Sequence, residues 1–111
     1  MNTNLSKKEK AIMRQLIEKG VQAEFDFALQ EAANIISQWK QSEKTNREAY
    51  YELYGSIKQH DKFIAQRYDT ITGSRYLSTV IGIYRDKQLN EEDLKELRED
   101  LREYILHAAT I

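Results

Sequence analysis

The sequence predicts an all-α protein, a single-domain bundle of four or five largely antiparallel helices. Three observations carry that expectation. The chain of 111 residues has no proline and only four glycines, Gly20, Gly55, Gly73 and Gly82, although loops normally collect both residue types. Apolar residues recur at three- and four-residue steps over long stretches, the period of a helix face. Polar starts such as Ser6 with Glu9 and Thr45 with Glu48 precede those stretches in the pattern of a capping box. The length suits one core, with residues 1–5 as a flexible N-terminal tail.

From Ser6 a first helix is expected to run to about Lys19, with Ile12, Met13, Leu16 and Ile17 inward and Gly20 ending or bending it. A second should span about Val21 to Gln41. Its face is Val21, Phe25, Ala28, Ala32, Ile35 and Trp39, widened by Leu29 and Ile36 beyond a narrow two-stranded seam. Phe27 falls on the opposite side, among Ala23, Gln30 and Asn34, and is a candidate interface residue.

Thr45 opens the third helix, which ends near Thr70 to Gly73 and is open to interruption at Gly55-Ser56. Ser74 can cap the fourth, whose core side is Leu77, Val80, Ile81 and Tyr84, broadened by Tyr76 and Ile83. Asp86 to Leu89 forms the next connection. Asn90 then caps a last helix, with Glu91, Glu92 and Asp93 at its positive end and Leu89 placed to staple onto Leu94. Leu94, Leu97, Leu101, Tyr104 and Ala108 hold one face of it.

Composition excludes several chemistries. A formal charge of −1, with both signs abundant, supplies no bulk attraction to nucleic acid or an anionic membrane. Without cysteine there are no disulfides, thiol nucleophiles or zinc-thiolate sites. No stretch approaches the ~18 apolar residues of a spanning helix, and no start resembles a signal peptide. A cytoplasmic protein without a membrane partner is expected.

Pattern singles out Asp61. Tyr50, Leu53, Ile57, Ile64, Tyr68 and Ile71 keep helical steps, and Asp61, with His60 beside it, occupies the slot between Ile57 and Ile64. A carboxylate on a core face must find a partner or change its protonation state. Asp61 is therefore expected to be buried, with His60, Tyr68 and Tyr54 as the polar groups around it. A structural link between packed helices outweighs an acid, base or ligand role.

A second candidate is the turn Thr72, Gly73, Ser74 and Arg75, where hydroxyls, free amides and a guanidinium enter a helix start and could hold a small anion. Metal finds little support. The two histidines, His60 and His107, stand three residues after Ile57 and Tyr104, so the Glu-x-x-His ligand pattern is missing. Glu103 and His107 share one turn, but at the end of the chain. No metal and no cofactor is expected, and neither a nucleophile elbow nor a phosphate loop is present. Lys58, Lys62, Arg67, Arg75 and Arg85, interleaved with Tyr68 and Tyr76, form a basic, aromatic segment of the kind that binds single strands. The tyrosines sit at core spacing, however, and the acidic last helix is expected to lie against this segment.

These readings converge on a non-enzymatic interaction or regulatory module. Seven tyrosines, Trp39 and wide apolar stripes on so short a chain point to surface buried in a protein partner or a homodimer. The alternatives are a small enzyme or anionic-ligand binder centred on Asp61 and the turn Thr72 to Arg75, and nucleic-acid binding through residues 58–85.

Overall fold

Reciprocal side-chain caps set where the helices begin. The computed structural model describes residues 4–69 and 71–111. Ser6 Oγ accepts from the Glu9 amide at 3.1 Å, while Glu9 Oε1 accepts from the Ser6 amide at 2.9 Å. That box opens α1 (Lys7–Lys40). Thr45 and Glu48 make the same exchange ahead of α2 (Asn46–Tyr68). Each box satisfies two amides that have no partner within the helix. A 3-10 turn (Gly73–Arg75) leads into α3 (Tyr76–Arg85), a second (Glu91–Leu94) follows, and α4 (Glu99–Ala108) closes the order. The fold is all-α, with no strand among the described residues.

Several boundaries differ from the expectation. Gly20 does not end a helix; it is buried within α1, which runs on for 34 residues. One glycine costs ~1 kcal/mol of helix propensity, too little to stop a helix with capped ends and apolar contacts. α2 likewise continues through Gly55-Ser56. Ser74 does not cap a helix: its hydroxyl lies 2.9 Å from that of Thr72, and α3 starts two residues later from Arg75. The Asn90 cap forms, completed by Asp93, but it closes only the 3-10 turn. Bonds from Lys95 N–H to Glu92 and from Leu97 N–H to Leu94 keep that turn tight, and α4 begins at Glu99. Ile105, rather than Tyr104, is the buried residue of its second turn.

Two helix ends carry no glycine signal. Ser42 (φ 61°) and Lys87 (φ 63°) are left-handed, and the amides that follow reach back to the Gln38 and Ile83 carbonyls. Both are Schellman closures built on residues that enter this region at a cost.

The residues gather into two compact units, one of Met1–Val21 with Thr70–Ile111, the other Gln22–Asp69. In the first, α3 packs on α4. Ile12, Met13, Leu16, Val80, Ile83, Leu89, Leu94, Leu97, Leu101 and Ile105 are buried. Arg98 Nη1 reaches both Glu9 oxygens at 2.9 Å and the Asn4 carbonyl at 3.3 Å, tying down part of the expected tail; residues 1–3 lie outside the described ones. Lys19 pairs with Asp93. Arg85 donates to the Ala108 and Ala109 carbonyls, a cation at the negative end of α4.

The second unit is an antiparallel hairpin of the later part of α1 and α2. Trp39 Nε1 donates to Asn46 Oδ1 at 2.7 Å across the tip, and Lys44 pairs with Glu52. Ala28, Ala32, Ile35 and Ala49 are buried, together with Glu24 and Ser56.

Candidate functional site

The hairpin buries a different face from the one its apolar period first indicates. On α2 the inward residues are Ala49 and Ser56, with Leu53, His60 and Phe63 half-buried. Tyr50, Tyr54 and Ile57 lie further round the helix and are exposed. The expected register is thus off by part of a turn, and Asp61 corrects with it. Asp61 is exposed rather than buried. Its carboxylate needs no buried partner because water solvates it.

The other polar candidates part company. His60 is half-buried, and its Nε2 lies 2.9 Å from Glu31 Oε2 on α1. Tyr54 is exposed and Tyr68 half-buried. The His60 bond holds the Glu31 carboxyl below the usual carboxylate range. Ser56, His60 and Glu31 are residue types of a nucleophilic triad, but a triad needs imidazole to take the serine proton. Here the imidazole bonds the carboxylate and the buried Ser56 hydroxyl bonds neither, an arrangement that links two helices. Phe27 is exposed, and its ring meets His60 edge-on at a centroid distance of 5.5 Å.

A continuous exposed surface covers the side of the hairpin away from Phe27. On α1, Asp26, Leu29, Ala33, Ile36 and Lys40 follow steps of three and four, so they share one stripe. On α2, Arg47, Tyr50, Tyr54, Ile57 and Asp61 repeat those steps. All ten residues are exposed. Ile36 and Tyr50 line the same apolar cavity of about 250 Å³, with Ile35, Trp39, Ala49 and Leu53. The two stripes therefore border one side of the hairpin, with Phe25 and Trp39 at its margin.

The turn Thr72 to Arg75 belongs to the other unit. Thr72 makes no side-chain cap bond, and Arg75 is exposed. The Arg75 carbonyl accepts from Thr79 Oγ1 at 2.8 Å and from Ser78 Oγ at 3.1 Å, and a Cβ on Gly73 would only touch the Lys10 stem at 3.7 Å. Of the basic segment, Arg67 stacks on Phe63 at 4.6 Å and Arg85 is held by the α4 carbonyls. Both cations have partners within their own units. Among the described residues no three His, Asp or Glu side chains gather as a metal site, and no helix is long and apolar enough to cross a membrane.

No family model, curated protein or solved structure matches the chain. The residues themselves carry the functional reading. Sequence reasoning placed Tyr50, Ile57, Leu29 and Ile36 on a core face and passed over Glu31 altogether. Their signal was the repeated three-four step ending in a charge on both helices, a pattern suited to a wetted rim and not to a sealed core.

Proposed function

We propose that this protein is a non-enzymatic interaction module of the cytoplasm that docks a protein through one side of its hairpin. The observation that supports the reading is the exposure of Phe25, Leu29, Ile36, Trp39, Tyr50, Tyr54 and Ile57, each 39–67 % accessible. A fully buried aromatic residue covers about 150–250 Å², so the four aromatic members alone leave roughly 300–500 Å² to water. Contiguous apolar surface on that scale marks interaction sites in soluble proteins. Tyr and Trp also provide the rigid, amphipathic contacts that dominate binding energy. The enzyme and anion-binder alternatives lose support, since Asp61 is exposed and the His60–Glu31 pair serves the hairpin.

Site-specific photo-crosslinking in cells tests the proposal. A photoreactive phenylalanine analogue in place of Tyr54 should give a defined protein adduct, and the same analogue in place of Glu103 should give none. Absence of any adduct at Tyr54 overturns the reading, whatever the identity of the partner.

A further inference from the structure

The charges that end the two stripes are arranged by sign. On α1 the stripe runs from Asp26 to Lys40, and on α2 from Arg47 to Asp61, each pair two heptads apart. Because the helices are antiparallel, Lys40 and Arg47 both stand at the tip of the hairpin, while Asp26 and Asp61 both stand at its open end. Between them lie only Leu29, Ala33, Ile36, Tyr50, Tyr54 and Ile57 on the stripes. The face is positive at one end, apolar in the middle and negative at the other.

Resting on the interaction-surface reading above, we propose that the partner is a second copy of this chain, packed face to face with the hairpins in opposite directions. A two-fold axis across the middle of the face, at the level of Ala33 and Tyr54, sets each α1 on its copy and each α2 on its copy. Asp26 then meets Lys40 of the second copy, and Asp61 meets its Arg47. Tip-to-tip packing would instead bring Lys40 and Arg47 against the same charges, so the sign pattern selects one of the two symmetric arrangements. In the selected register Tyr50 lies over Ile57 of the second copy and Leu29 over its Ile36. Lys58, the other cation bordering the face, comes over the Tyr50 ring.

The groups are available for this. Lys40, Arg47 and Asp61 make no side-chain hydrogen bond or ion pair with any described residue. Asp26 accepts one bond from Gln30 at 2.7 Å and keeps its second oxygen. The size is suitable too: the apolar members with their charged rim approach the ~800 Å² per partner of a standard interface.

Sedimentation equilibrium on the purified full chain decides the matter. The parent should be a dimer that weakens with added salt. Tyr54→Glu, an exposed position where helicity by circular dichroism should not change, should raise the dimer Kd on the order of 100-fold. Arg47→Asp should raise it about 10-fold, and Asp61→Arg likewise; the double variant should return towards the parent. A parent that stays monomeric at high concentration overturns the dimer, even where the Tyr54 crosslink captures another protein and upholds the interaction surface. Tighter association on Arg47→Asp alone overturns the antiparallel order, because only tip-to-tip packing would place that new carboxylate against Lys40.

Discussion

The two units of this protein are built from similar amphipathic helices and end in opposite conditions. In the unit of Met1–Val21 and Thr70–Ile111 the helices bury large aliphatic residues; all six of the largest fully buried side chains, Met13, Val80, Ile83, Leu94, Leu101 and Ile105, belong to it. In the hairpin of Gln22–Asp69 the buried apolar residues are three alanines and Ile35, while nine of the eleven exposed large hydrophobics among the described residues lie there. The difference teaches that apolar period and apolar burial are separate properties. A stripe packs only where another element presents volume to it, and an antiparallel pair of helices offers each member a single neighbour. Its remaining apolar surface is left for something else.

The largest effect that could break this contrast is a cavity in the first unit. Leu101→Ala should cost about 2–5 kcal/mol in denaturant unfolding. Tyr54→Ala, at dilution where the chain is monomeric, should shift stability by no more than about 0.5 kcal/mol. Comparable losses from the two would mean that the hairpin face is a core after all.

Ile35→Ala sharpens the comparison from the other side. As the one large aliphatic side chain buried in the hairpin, it should cost about 2–3 kcal/mol locally. Hydrogen exchange of α2 amides should accelerate while α3 and α4 keep their protection, as expected when units open separately. Uniform acceleration along the chain would show a single cooperative structure instead.

Acid should reach the first unit through Glu9 and Asp93. The Ser6 amide bond holds the Glu9 carboxyl below its usual value of 4.5, with Arg98 adding to the effect, and Lys19 holds Asp93 below 3.8. A carboxyl depressed in the folded state stabilises fully above its unfolded value and loses that contribution as pH falls through its folded value. Stability of this unit should thus be level near neutrality and decline once pH drops below about 4.5. Glu9→Gln should lower the neutral plateau by about 1 kcal/mol and flatten the decline. An unchanged acid slope in that variant would remove Glu9 from the account.

The smallest effects concern Gly55 and Asp61 on α2. A Cβ on Gly55 would meet nothing within 4 Å, so Gly55→Ala should stabilise the hairpin by up to about 1 kcal/mol. Asp61→Ala should leave the monomer within about 0.5 kcal/mol of the parent. A loss of several times that amount would restore the buried carboxylate that the helical pattern first implied.

What the sequence by itself determined is local. The boxes Ser6-Glu9 and Thr45-Glu48 and the Asn90 cap were legible because each joins groups three residues apart, within reach whatever the rest of the chain does. The helical period of Tyr50, Leu53 and Ile57 was legible for the same reason. Helix ends closed by left-handed Ser42 and Lys87 were not, since neither residue type announces that conformation. Only the tertiary structure decided which face of each helix turned inward. Ala49 and Ser56 pack because α1 stands on that side of α2, and this neighbour left Asp61 in water and His60 on Glu31. Burial depends on where other elements come to lie, and one helix's own pattern holds no record of their positions.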